Sequence, residues 1–198
     1  MSADQIIAIK TQEIIEMQER IGAKPDGFWG PKSQEMCRLY LRSLMPSPNP
    51  WPAANGSALR GFYGEPGEAN LVSIAPPYPM LYEGKVIKTI RCHKKVAASL
   101  LRVLHEIKHL IAENPEDRDD AEDYGGCYAF RNKRGGTTLS LHAWGAAIDL
   151  DADENTFRDS WPMKADMPLS IMEAFAREGW LSAGAFWGYD SMHFQATR

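Results

Sequence analysis

The ten residues Ser140–Asp149 (SLHAWGAAID) constrain the fold of this chain more than any other stretch. They carry His142 and Asp149, whose side chains would stand roughly 10 Å apart in one helix and farther apart in one straight strand. A bend at Gly145 followed by a short strand over 146–148 would instead bring them together. The stretch then either supplies two ligands to a divalent metal, usually zinc for such a nitrogen and oxygen pair, or packs a core histidine beside a capping aspartate.

A second motif of the same kind lies near the end of the chain, where Asp190 and His193 are three residues apart. A third metal ligand usually comes from a distant segment, because adjacent residues cannot surround an ion. His142, Asp149 and His193 would leave one tetrahedral position for water, as catalytic zinc requires. Because zinc lowers the pKa of bound water from 15.7 to about 7, hydroxide would be available at neutral pH. The sequence therefore predicts a zinc centre with Asp190 as general base.

Three further residues near this centre are candidates for contact with a substrate. Arg131 lies between two glycine pairs and is predicted to stabilise the negative charge of a tetrahedral intermediate. Ser140 could bind polar groups of a substrate, or its hydroxyl could stabilise the loop. Trp144 could likewise contact a substrate, or it could pack in the core or in the wall of the cleft.

A competing zinc motif, H-E-x-x-H, runs from His105 to His109 within a predicted amphipathic helix over about 92–114. At about 100° per residue, the apolar residues of this helix fall on one side and both histidines fall nearly opposite. A catalytic pair should face a cleft, and no downstream signature supplies a clear third ligand. We therefore interpret His105 and His109 as solvent-exposed, and a helical zinc protease remains a separate hypothesis.

The first 45 residues are predicted to form a small helical hairpin. One helix ends near Gly22, and the turn KPDGFWGPKSQ leads to a second helix that begins near Pro31 and continues through Leu44. This turn, after an Ile-x-x-Met-Gln-x-x-Ile-Gly helix, resembles the peptidoglycan-binding modules of bacterial and phage wall hydrolases. The alternative is a helical cap on the main domain. Four prolines between positions 46 and 52 predict a semi-rigid linker over 46–57.

The charge balance and the cysteines exclude several classes of function. The net charge of -4, the pI near 5.8 and the scattered lysines and arginines argue against nucleic acid as a partner. The chain begins without the basic and apolar regions of a signal peptide, and it has no run of about 18 apolar residues. We therefore expect a monomer made in the cytoplasm without membrane insertion. The three cysteines are far apart, which predicts free thiols.

The pattern S-x-H-x-x-G-x-A-x-D, followed by D-x-x-H-F near the end, resembles the LAS family of zinc peptidases. Within that family it is most similar to the branch of D-alanyl-D-alanine carboxypeptidases and L-alanyl-D-glutamate peptidases. The resemblance covers roughly residues 60–198 and implies an α+β fold, in which helices flank a small antiparallel sheet. It implies a substrate contact from Arg131 or Arg134, and a base that is often Glu in relatives but Asp here. The zinc ligands and the base that it implies are His142, Asp149, His193 and Asp190.

Together these patterns predict a modular peptidoglycan hydrolase with a helical wall-binding module (1–45), a linker (46–57) and a zinc peptidase domain (58–198). Because no export signal is seen, we expect a phage or prophage endolysin that reaches the wall after the membrane is breached. Cleavage between L-Ala and D-Glu suits lysis, since it severs the stem peptide from the glycan. The alternatives are a D-alanyl-D-alanine carboxypeptidase and a non-catalytic wall-binding protein.

Overall fold

A computed structural model describes residues 3–198, except for the side chains of residues 3, 4 and 6. The first two residues, with which the predicted module and the expected signal-free N-terminus begin, lie outside the described part. Within that part, no helix combines the length and the apolar character needed to cross a membrane.

The predicted N-terminal hairpin is present as helix α1 (Ala3–Arg20) and helix α2 (Pro31–Leu44). Helix α2 begins at Pro31, because the fixed φ of proline suits the first helical position. The buried Gln18 side chain ties the intervening turn together by accepting a hydrogen bond from the Gly27 amide at 2.9 Å and donating one to the Phe28 carbonyl at 3.0 Å. The turn is therefore held from within the hairpin.

The hairpin packs on the rest of the molecule through one continuous hydrophobic core. Ile21, Cys37 and Leu41 are buried in the same cluster as the C-terminal half of the chain. The buried Glu173 carboxylate is held from the hairpin side by the Arg20 guanidinium at 2.6 Å and the Tyr40 hydroxyl at 2.8 Å. The division into module, linker and domain stays a prediction, but the hairpin is not spatially separate.

The proline-rich segment also lies against the C-terminal half. Trp51 is buried, and its indole donates to the Glu178 carbonyl at 2.8 Å. The Asn49 side chain donates to the Gly179 carbonyl at 2.9 Å. Helix α3 (Gly56–Tyr63) follows, capped by the side chain of Asn55. These contacts hold the segment in place along its length.

The segment before the long helix contains short antiparallel strands. Strand β1 (Leu71–Ile74) pairs with β4 (Ile90–His93), and β2 (Leu81–Tyr82) forms a hairpin with β3 (Lys85–Val86). The long helix α4 is Ala97–Glu113, so the prediction that it begins near Cys92 was wrong. Residues 92 and 93 extend β4 instead, because they pair with residues 72 and 71 of β1.

Helix α4 has the predicted amphipathic face. Its buried side chains are apolar apart from Ser99, whose hydroxyl accepts a hydrogen bond from the indole of Trp180 at 2.9 Å. In contrast, His105 and His109 are exposed. The prediction that both histidines face solvent is confirmed.

A four-stranded antiparallel sheet forms the centre of the C-terminal half, with its strands in the order β5 (Tyr124–Gly126), β6 (Ala147–Leu150), β8 (His193–Gln195) and β7 (Leu181–Ser182). Helices flank this sheet, and Phe175 stacks on Phe194 with ring centroids 3.9 Å apart. The predicted α+β fold with a small antiparallel sheet and flanking helices is confirmed. The shorter helices of this half are α5 (Arg118–Glu122), α6 (Leu169–Arg177) and α7 (Ala183–Trp187).

Candidate metal centre

The bend predicted at Gly145 exists and requires glycine. A short 3-10 turn (Leu141–Trp144) precedes it, and Gly145 has a left-handed φ of 64°. A Cβ at this position would lie 2.7 Å from the Leu71 side chain and 2.9 Å from the His93 amide nitrogen. The chain can therefore turn here only with a residue that lacks a side chain, and it enters β6 directly afterwards.

Strand register brings the three predicted metal ligands together. Asp149 of β6 and His193 of β8 are directly paired, so their side chains share one face of the sheet. The bend delivers His142 to the same face. The Asp149 Oδ1 lies 3.1 Å from His142 Nε2 and 2.9 Å from His193 Nδ1, and the two nitrogens are 3.1 Å apart.

The outer partners of the two imidazoles decide which atoms face the cluster. His142 Nδ1 lies 2.8 Å from the Cys127 carbonyl oxygen, which can only accept, so Nδ1 carries the proton. His193 Nε2 lies 3.2 Å from Gln195 Oε1, and the amide nitrogen of Gln195 donates to Thr197. When the rings are neutral, each therefore turns a lone pair towards the Asp149 carboxylate, and when a ring is protonated its inner N–H donates to that carboxylate.

The pKa values reflect the close approach of the imidazoles and the carboxylate. Burial raises the pKa of Asp149, but the hydrogen bonds that His142 and His193 donate when protonated outweigh it, and the net pKa is far below the ordinary range. Burial lowers the pKa of His193, but the hydrogen bond and charge of Asp149 and the charge of the nearby Asp190 outweigh burial, and the net shift is upward. The carboxylate therefore stays ionised and attracts positive charge.

The donor set fits a zinc ion. Zinc–nitrogen and zinc–oxygen bonds of about 2.0–2.2 Å in a tetrahedron would separate neighbouring ligand atoms by roughly 3.4 Å. The observed separations of 2.9–3.1 Å are slightly shorter than this spacing. With both rings neutral, the three inward-facing atoms are all acceptors, two of them fixed by outer partners, and a cation satisfies such a set.

Asp190 lies at the edge of the cluster in a tight turn. Its backbone has a left-handed φ of 61°, and its carbonyl accepts a hydrogen bond from the His193 amide at 2.9 Å. Burial raises the pKa of its carboxyl, and so does the charge of Asp149, whereas His193 lowers it, with a net upward shift. A raised pKa suits a carboxylate that exchanges protons near neutral pH.

A cavity of about 320 Å³ opens over these four residues. Arg131 and Arg134 stand on its exposed rim, and the Arg134 guanidinium lies 5.7 Å from the ring centroid of Phe157. Trp187 and Tyr189 line another part of the wall. The cavity thus combines an acidic floor with a basic and aromatic rim.

The remaining predicted residues lie in different places. Ser140 lines the cavity but is 6% exposed, and its hydroxyl accepts a hydrogen bond from the His142 amide at 3.4 Å. Trp144 is buried beneath the bend, with its indole donating to the Gly64 carbonyl at 2.9 Å, and it does not border the cavity over the metal-ligand candidates. Ser140 is therefore placed to hold the turn, and Trp144 to support it.

Several residues of the site were not predicted from the sequence. Cys127 acts through its backbone carbonyl, for which a side-chain pattern gives no signal. Gln195 stands two residues after His193 on the same strand face, so the alternation of the strand could have identified it. Lys133 and Phe157 line the cavity from loops whose approach no local motif specifies.

Comparison with known proteins gives one family match. Residues 134–196 match the model of a family described as D-alanyl-D-alanine carboxypeptidase, a segment that includes all three candidate ligands and Asp190. No curated protein and no solved structure matches the chain significantly. The matched segment, roughly a third of the chain, supports a relationship to the peptidase superfamily that contains the D-alanyl-D-alanine carboxypeptidases.

Proposed function

We propose that this protein is a zinc-dependent peptidase that cleaves the stem peptide of peptidoglycan. The observation that carries the proposal is the inward-facing set of His142 Nε2, Asp149 Oδ1 and His193 Nδ1 within a segment that matches a peptidoglycan peptidase family. These three residues would hold the ion. When bound, zinc supplies a Lewis acid that makes water reactive at neutral pH.

The residues around this centre have separate roles in the proposed reaction. Asp190 takes a proton from the attacking water and passes it to the leaving amine, for which its raised pKa is suited. Arg131 or Arg134 offsets negative charge that develops on the substrate carbonyl oxygen. The aromatic wall of the cavity limits access of bulk water to the reacting bond.

Within this class we propose L-alanyl-D-glutamate endopeptidase activity. A second cavity adjoins the catalytic one and shares Lys133 and Leu141 with it, so a substrate can continue beyond the reacting bond. Cleavage of this bond would release the stem peptide from the glycan, as a phage-type lytic enzyme requires. The description of the matching family favours the second candidate, removal of the terminal D-Ala.

The N-terminal hairpin is proposed to bind the wall. Phe28 is 74% exposed in the KPDGFWG turn, whereas the neighbouring Trp29 packs edge-on against Trp161 at 5.1 Å. Because the hairpin shares the core, its deletion would disturb the fold. Phe28→Ala should instead weaken retention on purified sacculi, with the half-exposed Leu39→Ala as control. Equal retention of all three proteins would leave the hairpin as a structural cap.

The activity is tested by digesting purified sacculi with the wild type and with His193→Ala, followed by mass spectrometry of the products. We expect new N-terminal D-Glu from the wild type and none from the variant. Released D-Ala would identify the carboxypeptidase instead. Retention of the wild type on sacculi without any new terminus would identify a non-catalytic binding protein.

A further inference from the structure

A second cavity of about 500 Å³ lies beside the catalytic one. Its floor includes the buried side chains of Leu59, Leu141 and Trp144, and exposed Thr137 and Thr138 form part of its rim. This size is within the range of about 300–1,000 Å³ that is common for ligand pockets. An apolar floor with a polar rim is the usual composition of such pockets.

The wall between the two cavities is a short hairpin, 131–140. Asn132 and Leu139 form an antiparallel bridge within it, and the Lys133 amide donates to the Thr138 carbonyl at 2.8 Å. Lys133 lines both cavities, whereas Thr137 and Thr138 line only the second. A ligand that occupies both cavities would therefore lie across this hairpin and contact Lys133.

The charged residues that line the second cavity indicate which charge a ligand there should carry. The chain carries a net charge of -4, yet no residue in the described set that lines this cavity is acidic, while Arg60 and Lys133 are basic. Arg60 pairs with Glu65 at 3.2 Å, but both side chains are exposed, and such pairs bind weakly enough to exchange partners. The cavity therefore favours an anionic group.

We propose that the second cavity binds the carboxylate-bearing part of the substrate on the amine side of the cleaved bond. This inference rests on the proposed function, because the stem peptide of peptidoglycan carries the free α-carboxylate of D-Glu. The carboxylate would approach Lys133 and Arg60, and the aliphatic part of the peptide would lie on the floor formed by Leu59 and Leu141. Binding there would hold the substrate in register with the catalytic cavity.

The test compares Thr137→Trp, which fills the second cavity from an exposed rim position, with Thr89→Trp, an exposed threonine that lines neither cavity. Each protein, after a check of its folding by circular dichroism, is assayed on two synthetic stem pentapeptides. One carries the free D-Glu carboxylate and the other the corresponding amide. We expect Thr137→Trp to lower kcat/KM for the acidic peptide about tenfold, mainly through KM, and Thr89→Trp to match the wild type.

The amidated peptide provides the second readout. It should be a poorer substrate for the wild type, and Thr137→Trp should reduce its cleavage no further. Equal kcat/KM of Thr137→Trp and the wild type on the acidic peptide would overturn the inference, as would equal losses on both peptides. If the wild type cleaves neither peptide, the proposed function is wrong and the inference falls with it.

Discussion

The molecule contains two pairs of histidines, and only one of them is built into a site. His105 and His109 follow the H-E-x-x-H spacing of helical zinc proteases, yet both are exposed on α4. His142 and His193 are 51 residues apart and match no such local motif, yet they meet over Asp149. The arrangement of partners in space, rather than spacing along the chain, distinguishes the two pairs.

The outer partners explain this difference. In each ring of the buried pair, one nitrogen faces outward to a protein oxygen that accepts its hydrogen bond. The other nitrogen is therefore held facing the cluster. Glu106, between the exposed histidines, instead forms an ion pair with Arg177. A base that is held in an ion pair on the surface is poorly placed to serve a metal centre.

The largest effect should separate the two candidate bases. Asp190→Asn removes the proton acceptor of the buried site, and we expect kcat to fall by about 10²–10⁴. Asparagine tolerates the left-handed backbone at this position, so folding should be preserved. The matched variant Glu106→Gln should retain full activity on the same peptide. A larger loss for Glu106→Gln than for Asp190→Asn would reverse the comparison.

The bend that delivers His142 should be the next most sensitive feature. Gly145→Ala combines a left-handed φ with collisions at Leu71 and His93, and we expect a loss of roughly 3 kcal/mol in the free energy of unfolding. Gly135→Ala has a similar φ of 71° but nothing within 4 Å of its Cβ, so about 1–2 kcal/mol is expected. Chemical denaturation measures both. Equal losses would show that packing around the bend does not constrain it.

The outer partner of His193 should affect metal affinity without removing the ligands. Gln195→Ala frees His193 Nε2 from its acceptor, and we expect zinc affinity to fall by about 10–100-fold. Gln12→Ala, on the exposed face of α1, is the control. Competition with a chelator gives both affinities. An unchanged affinity for Gln195→Ala would mean that the ring orientation does not depend on this hydrogen bond.

The smallest expected effect concerns two carboxylates whose pKa values are shifted in opposite directions. Asp149 lies between imidazoles and has a lowered pKa, whereas burial and then the charges of Asp166 and Asp151 raise the pKa of Asp120 to about 8. Because an unfolded Asp titrates near a pKa of about 3.9, the folded state binds the extra proton, and stability should fall as pH rises from about 4 to about 8.

Asp120→Asn should flatten this dependence and raise the Tm at pH 8 by about 2–4 °C, which corresponds to roughly 1 kcal/mol in a chain of this size. The exposed neighbour Asp119→Asn should leave the pH profile of the wild type unchanged. Thermal unfolding at a series of pH values measures both variants. Parallel profiles for the wild type and Asp120→Asn would contradict the assignment.

The sequence was sufficient to predict features whose backbone geometry depends on neighbouring residues. Gly145 predicted the bend, and the short apolar run after it predicted the strand that carries Asp149. Helical periodicity predicted the exposure of His105 and His109. Each of these features follows from local sterics or from the period of a helix, which a single sequence displays.

The sequence was insufficient to predict features that depend on contacts between residues far apart in the chain. Cys92 was predicted to lie at the start of a helix, but it extends β4. It does so because it pairs with Val72 of β1, which lies 20 residues earlier in the chain. The contact between His142 and the Cys127 carbonyl depends on tertiary approach. The sharing of one core by Leu41 and the C-terminal half likewise could not be deduced from a proline-rich boundary.

If the buried histidines, and not the exposed pair, hold the metal, the zinc content of the protein should depend on the buried pair alone. Zinc per chain is measured in purified, dialysed protein. We predict one zinc in the wild type and in the double variant His105→Ala/His109→Ala, and none in His142→Ala/His193→Ala. Zinc retained by the second double variant and lost by the first would place the metal at the exposed pair instead.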